Sequence, residues 1–242
     1  SHLRGDKIAM ITANEISGKK TLDAGGYVVT AGFIDLHRHG HSPENYLAQV
    51  HDGITSALEL EIGVEDIDIF YAEREGKALV NHGASISHPY TRNIVMTGKN
   101  SGLEGDALAQ PLIPTQLDKL KEMIAEALDR GAVGIGFGLA YSPGATSDEL
   151  LEMFRIAARY NANCFVHIRG SLNPDLITDA ANVEEVLGYS KETGASLHIV
   201  HINSSGAKKI PEYLRVIQEA RNNGIDVTTE CYPYNRGSTY IQ

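Results

Sequence analysis

The sequence of 242 residues lacks tryptophan and contains two cysteines, Cys164 and Cys231. Two cysteines are too few for a disulfide framework, so we expect a reducing, cytoplasmic compartment. No run of eighteen apolar residues occurs, and no signal-peptide pattern opens the chain. The sequence therefore predicts neither a membrane span nor secretion.

Positive charge is also scarce. Lysine and arginine number 21 against 31 acidic residues, which gives a formal net charge of −10. This balance argues against partners that are nucleic acids or anionic membrane surfaces. With 42% hydrophobic and 21% charged residues, the composition is that of a globular domain and is compatible with a homo-oligomer.

After Gly32, short apolar strand patterns alternate with longer amphipathic helix patterns. This alternation predicts βαβ units and a parallel sheet. The predicted strands cover residues 33–37, 56–61, 84–88, 133–137, 164–168, 197–201 and 227–231. The predicted helices cover residues 67–81, 115–130, 147–161, 183–193 and 210–223.

Seven such strands favour a (β/α)8 TIM-type barrel, incomplete because the last strand is missing, over an open doubly wound sheet. Gly134, Gly136 and Gly138 have the spacing G-x-G-x-G, which is not the dinucleotide fingerprint. Glycine within a strand instead indicates close packing or room for a ligand. Before the barrel, Lys7–Ile11 and Tyr27–Thr30 are predicted strands of a small sheet.

Histidines follow three of the predicted strands. His37 and His39 come after the first, and His167 and His201 end the fifth and sixth. In a TIM barrel, functional side chains from different strands converge at the C-terminal face. Neutral imidazole is a common zinc ligand, so these four histidines are predicted metal ligands. His198 is interpreted as a structural residue on the opposite face of its strand.

Two acidic residues, Glu59 and Glu61, lie in the second predicted strand. Carboxylates among apolar residues are costly unless they are paired or metal-bound. Glu61 is therefore predicted to bridge two metal ions, with Glu59 beside it or in contact with substrate. A solvated edge strand is the alternative. His88, at the end of the third strand, is a predicted substrate contact.

Four segments stand out as a set: TAGFIDLHRH at residues 30–39, GAVGIGFGLAYSP at 131–143, HIR at 167–169 and YPY at 232–234. Together they resemble the amidohydrolase superfamily, and within it the N-acyl-D-amino-acid deacylase branch, also called D-aminoacylases. The resemblance covers the chain from about residue 7 to its end.

The resemblance implies a metal-dependent hydrolase of linear amide bonds that holds one or two Zn²⁺ ions on the predicted ligands. Its substrate-lining tyrosines fall on Tyr141 and on Tyr232 or Tyr234. Its general base, an aspartate of the eighth strand, is expected beyond Gln242. Residues 1–30 would be part of a small β-sandwich domain, and residues 31–242 the hydrolase barrel without its C-terminal portion.

An N-acyl amino acid carries a free carboxylate, which needs a cation. Arg169, two residues after His167, is the first candidate, since guanidinium groups match carboxylates. Arg92 is one alternative, and Arg236, which lies outside the residues that the structure describes, is another. The expected partner is a small N-acyl-D-amino acid, with N-acyl-D-glutamate as an acidic example. Glu61 stands near the place where D-aminoacylases have a bridging cysteine, and Asn203 replaces a usual lysine.

Two alternatives stay open. The first is a cyclic-amide hydrolase similar to dihydroorotase, but that type uses a lysine at the end of the fourth strand, and no lysine lies between Lys121 and Lys191. The second is a barrel that binds metal without catalysis.

Overall fold

The computed structural model describes residues 2–170 and 180–234. The chain divides into two units, Ser1–Gly32 and Phe33–Gln242. In the first unit, β1 (His2–Arg4) pairs antiparallel with β2 (Lys7–Met10). Gly5 joins them with a φ of 64°, in the left-handed region that glycine adopts without steric cost. The strand predicted from Lys7 is thereby confirmed.

The strand predicted at Tyr27–Thr30 is wrong, because this segment has no regular structure. Tyr27 is 83% and Val28 89% exposed. A β-type sequence forms a strand only where a neighbour supplies hydrogen bonds and packing. The assignment of residues 1–30 to a β-sandwich domain stays a prediction.

The second unit contains a curled sheet of seven parallel strands, in the sheet order β3-β4-β5-β6-β7-β8-β9, which is also their order along the chain. Neighbouring strands are parallel throughout, so each connection crosses over the sheet through helical segments. This confirms the predicted architecture of an incomplete (β/α) barrel. The strands are β3 (Phe33–Asp35), β4 (Ile54–Val64), β5 (Asn81–Ser87), β6 (Gly134–Gly138), β7 (Asn163–His167), β8 (Ser196–Ile199) and β9 (Val227–Thr229).

The five predicted helices are present, and three further α-helices occur among the described residues. The predicted helix from Ile67 ends at Arg74, seven residues early, because the chain turns at Gly76 (φ 68°) before it enters β5. The helices are α1 (Pro43–His51), α2 (Ile67–Arg74), α3 (His88–Thr97), α4 (Pro114–Asp129), α5 (Ser147–Tyr160), α6 (Ala181–Thr193), α7 (Ile202–Gly206) and α8 (Ile210–Asn222). Single 3₁₀ turns cover Asp106–Ala109, Leu139–Tyr141 and Ala207–Lys209.

The core lies between the sheet and the helices that pack on it. Leu150 and Phe154 of α5 are fully buried and belong to one cluster with Val166 of β7. Full burial of such a side chain contributes roughly 1.5–3 kcal/mol. This packing holds the strands in place, and with them the residues at their C-terminal ends. Within the part of the chain that the structure describes, no helix has the length and apolar character needed to span a membrane.

Candidate metal centre

Five side chains meet at the C-terminal ends of four strands. The loop after β3 supplies two histidines, β4 supplies a glutamate, and β7 and the end of β8 supply one histidine each. Parallel strands bring their C-terminal ends to one side of a barrel, which explains how distant residues converge. We call this group the histidine–glutamate cluster; it consists of His37, His39, Glu61, His167 and His201.

The carboxylate of Glu61 lies at the centre of the cluster, with two imidazoles on each oxygen. Its Oε2 is 3.0 Å from His37 Nε2 and 2.9 Å from His39 Nε2. Its Oε1 is 2.5 Å from His167 Nδ1 and 2.9 Å from His201 Nε2. One carboxylate therefore joins a His37–His39 half and a His167–His201 half.

Each half offers three donor atoms that lie within 4.8 Å of one another, and Glu61 belongs to both. Imidazole nitrogen and carboxylate oxygen are the donors that zinc uses in catalytic sites. The donor set therefore fits one or two divalent metal ions, with Glu61 as the shared ligand. The sequence predicted these five residues as ligands, and the structure brings all five together.

The electrostatics of the cluster favour added positive charge. Burial opposes ionisation of Glu61, but hydrogen bonds from four imidazoles hold its pKa well below the usual range. Burial likewise opposes the charged form of histidine, yet the neighbouring carboxylates raise the pKa of His37 to about 9 and that of His39 to about 10. The same carboxylates would stabilise a cation bound by the imidazoles, since opposite charges close together favour their ionised forms.

Three of the four imidazoles have a second partner on the nitrogen that faces away from Glu61. His39 Nδ1 lies 3.0 Å from both oxygens of Glu59. His201 Nδ1 lies 3.0 Å from Ser205 Oγ. Metal-binding histidines usually donate their other N–H in this way, which fixes the ring and its tautomer. Glu59 therefore lies beside the cluster and contacts a predicted ligand, which agrees with the first of the two positions predicted for it.

The partner of His37 is Glu230, which sequence reasoning missed. His37 Nδ1 lies 2.5 Å from Glu230 Oε1. Although burial opposes ionisation, the hydrogen bond with His37 and the nearby imidazole of His198 lower the pKa of Glu230 to about 2. The signal was present in the sequence, because Glu230 directly follows β9 as the histidines follow their strands.

His198 lies on the same face as the cluster, which corrects its placement on the opposite face. It pairs in register with Phe165, and Phe165 is two residues before His167 on β7. Residues two apart on a strand share a face. The His198 imidazole hydrogen-bonds Thr228 Oγ1 at 2.8 Å and lies 3.7 Å from Glu230 Oε2.

Among the predicted substrate contacts, Tyr141 lies at the cluster. Its ring centroid is 5.1 Å from that of His167. Arg169 is partly exposed, and its guanidinium donates to Glu185 Oε1 at 3.1 Å and to the Ala145 carbonyl at 2.5 Å. Tyr232 is half-buried and Tyr234 is exposed. The substrate contacts of these residues stay predictions.

His88 and Arg92 lie in the interior, which contradicts the prediction that they meet a substrate. Both are completely buried. His88 begins α3 directly after β5, and Arg92 lies one turn further along that helix. His88 Nε2 and Arg92 Nε each lie 2.8 Å from Glu149 Oε1. Arg92 also donates to the carbonyls of Ala107 and Gln110. The three side chains form a structural ion cluster that fixes the loop before α4.

Replacement of Glu149 by glutamine is expected to destabilise the fold by about 3–5 kcal/mol, since it leaves the Arg92 charge buried without its counter-ion. Burial opposes ionisation, but His88 and Arg92 lower the pKa of Glu149 below 4.5. The stabilisation is therefore complete above pH 4.5 and is lost as pH falls through the lower folded pKa.

Urea unfolding at several pH values measures this effect. The exposed ion-pair residue Glu122 provides the control, and its E122Q variant should differ from the parent by less than about 0.5 kcal/mol. Equal stability of E149Q and the parent at pH 7 would contradict the structural role.

No family model matches the chain. The N-acyl-D-glutamate deacylase of Alcaligenes xylosoxydans xylosoxydans is 29% identical over 276 residues, which cover 99% of this chain and 54% of that protein. The D-aminoacylase of the same organism is 24% identical over 279 residues, with the same coverage. An allantoinase of Salmonella choleraesuis (strain SC-B67) is 26% identical over 96% of this chain and 54% of its own. The chain thus spans about half the length of the curated relatives it matches.

Two solved structures show the same fold. One is N-acyl-D-glutamate deacylase from Bordetella bronchiseptica, complexed with zinc and a phosphonate inhibitor; its TM-score is 0.65 at 24% identity. The other is a D-aminoacylase described as defining a novel subset of amidohydrolases, with a TM-score of 0.65 at 21% identity. Each match covers 84% of this chain and 48% of the other. The chain is therefore a distant homologue of N-acyl-D-glutamate deacylase and D-aminoacylase, members of the amidohydrolase superfamily.

Proposed function

We propose that this protein is a metal-dependent amide hydrolase that deacylates N-acyl-D-amino acids, with N-acyl-D-glutamate among its substrates. The observation that carries the proposal is the position of Glu61, whose two carboxylate oxygens each meet a pair of histidines at the strand ends. The homology to an N-acyl-D-glutamate deacylase supports the substrate class.

In this proposal the histidine–glutamate cluster holds one or two Zn²⁺ ions. When bound, zinc would lower the pKa of water to about 7 and polarise the amide carbonyl. Glu61 would be shared by both halves, and its charge would offset part of the charge of the ions. The outer carboxylates Glu59 and Glu230 would keep His39 and His37 oriented.

Two further residues would bind the substrate. Tyr141 lies beside His167 and would line the space for the acyl group or side chain. Arg169 would bind the α-carboxylate of the amino acid. Its Nε already donates to Glu185, and this bond would orient the guanidinium so that a carboxylate is received at its remaining donors.

The proposed cellular location is the cytoplasm. Cys164 and Cys231 are both free, which is compatible with a reducing compartment. The net charge of −10 does not conflict with an anionic substrate, because a single local guanidinium can bind a carboxylate.

Steady-state assays of the complete protein with Zn²⁺ on N-acetyl-D-glutamate, a neutral N-acetyl-D-amino acid and their L-enantiomers test the proposal. We expect kcat/KM to be at least about 100-fold higher for a D-substrate than for its L-form, which corresponds to about 2.7 kcal/mol of discrimination. Metal binding without turnover of any D-substrate would contradict the activity.

A cyclic amide in the same assay series tests the second candidate, which the allantoinase relative favours. Ring opening without deacylation would support it. Metal binding with no turnover of either class would indicate a non-catalytic barrel, and absence of metal binding would contradict the site itself.

A further inference from the structure

His37 lies between two carboxylates. Its Nε2 is 3.0 Å from Glu61 Oε2, and its Nδ1 is 2.5 Å from Glu230 Oε1. The imidazole of His37 therefore has one nitrogen in the cluster and the other on an acid outside it. Glu230 belongs to neither of the two groups of three metal donors.

The surrounding structure fixes the position of Glu230. Its backbone carbonyl accepts the N–H of Ile202 at 2.9 Å, which ties the end of β9 to the start of α7. Its Oε1 also accepts the backbone N–H of His201 at 3.3 Å. On its other side, His198 Nε2 lies 3.7 Å from Oε2. Glu230 is thus held by several contacts and can in turn hold His37.

We propose that Glu230 is a positioning residue that fixes His37 in the tautomer with the proton on Nδ1, so that Nε2 is free to bind a metal ion. A neutral imidazole has one N–H and one lone pair, and the hydrogen bond at one nitrogen decides which nitrogen binds metal. Glu230 accepts at Nδ1, so a metal ion bound by His37 would take the place of the Nε2 proton that faces Glu61, while the Nδ1 proton would stay. The inference rests on the proposed metal-dependent function.

The outer partners differ between the two halves of the cluster. In the His37–His39 half, each Nδ1 has a carboxylate partner, Glu230 or Glu59. In the other half, His201 Nδ1 meets a hydroxyl, and His167 turns Nδ1 itself toward Glu61. Loss of the Glu230 charge should therefore weaken metal binding in the His37–His39 half and have little effect in the other half.

Titration of the full chain with Co²⁺, followed by its visible absorption, tests this selectivity. The H167A variant retains the His37–His39 half, and the H39A variant retains the other half. Adding E230Q should raise the Kd for Co²⁺ about 10–100-fold in the H167A background. In the H39A background the same change should alter Kd less than about 3-fold.

Two further variants separate positioning from general damage. E230D retains the charge, so in the H167A background its Kd for Co²⁺ should be at least about tenfold lower than that of E230Q. E219Q removes an exposed carboxylate that pairs with Arg215, and should leave Kd unchanged in both backgrounds. Near-UV circular dichroism shows whether each variant is folded.

The outcomes distinguish the inference from the proposed function. Co²⁺ binding that E230Q leaves unchanged, or weakens equally in both backgrounds, would overturn the positioning role but leave the metal site intact. Failure of the unsubstituted chain to bind Co²⁺ would overturn the metal site and the inference together. If E230Q does not fold, E230A or E230N replaces it in the titration. A Kd equal to that of the background variant would then equally overturn the role, because neither alanine nor asparagine carries a carboxylate.

Discussion

Replacement of Glu61 by glutamine is expected to abolish metal binding in both halves of the cluster and to lower amide hydrolysis by roughly 10³-fold. The carboxylate contacts all four imidazoles, two through each oxygen, at 2.5–3.0 Å. Glutamine has nearly the same shape but lacks the charge, and its NH₂ group cannot be a ligand. A loss of about 4 kcal/mol of transition-state stabilisation corresponds to this factor.

Elemental analysis after gel filtration in micromolar Zn²⁺ gives the direct measurement, and the kcat/KM for N-acetyl-D-glutamate gives the second. The parent should retain one or two equivalents of zinc, and E61Q fewer than about 0.1. The matched control is E65Q. Glu65 follows the same strand and hydrogen-bonds Asn100 at 2.8 Å, outside the cluster. Zinc retained by E61Q at the parental level would contradict the bridging role.

The sequence was sufficient to predict that these five side chains converge, because they follow a simple rule. His167 and Glu61 each lie at or near the end of an apolar strand, and a parallel barrel gathers such ends at one face. Periodicity also predicted the seven strands of the sheet. These features depend on local pattern and on one topological rule, both of which a single sequence contains.

The errors concern residues whose environment is set by distant parts of the chain. His88 follows a strand, and from the sequence alone it resembles His167. In the structure Ser87 caps a helix at this point, and the buried imidazole of His88 hydrogen-bonds Glu149, 61 residues away. Arg92 was predicted to bind a substrate because guanidinium groups match carboxylates, and the carboxylate that it contacts is again Glu149. No local pattern distinguishes a buried ion pair from an open site, since the difference lies in the long-range partner.

Glu230 illustrates the opposite error. It occupies the position after β9 that the same rule marks as functional, yet its role depends on a contact with His37, 193 residues away. Carboxylates are common, and a strand-end glutamate acquires meaning only when the histidine that it contacts is known. The supporting partners of a metal site are therefore harder to predict than its ligands.

Gly136 is the site of the second large expected effect. The sequence suggested that glycines in this strand mark close packing or room for a ligand, and the structure favours close packing. A Cβ at Gly136 would lie 2.6 Å from the backbone oxygen of Glu61, 2.6 Å from Ser85 Oγ and 2.7 Å from the oxygen of Leu60. Two of these three atoms are backbone of β4, which cannot move without moving the Glu61 carboxylate.

The G136A variant is therefore expected to lose about 3 kcal/mol of stability and to unfold at a temperature roughly 6–12 °C lower. It should also bind Co²⁺ at least about tenfold more weakly, because β4 carries Glu61, the proposed shared ligand of both halves. The control is G188A. Gly188 lies in α6 with open space around its Cβ position, so alanine there should stabilise by about 0.5–1 kcal/mol.

Thermal unfolding of both variants, with and without Co²⁺, separates the two contributions of Gly136. A lower unfolding temperature with parental Co²⁺ affinity would mean that the glycine serves packing alone and that β4 relaxes without displacing Glu61. Parental stability would contradict the close approach of β4 and β6. If both quantities fall together, the absence of a Cβ at Gly136 determines where the Glu61 carboxylate lies, which links the glycine pattern of β6 to the proposed chemistry of β4.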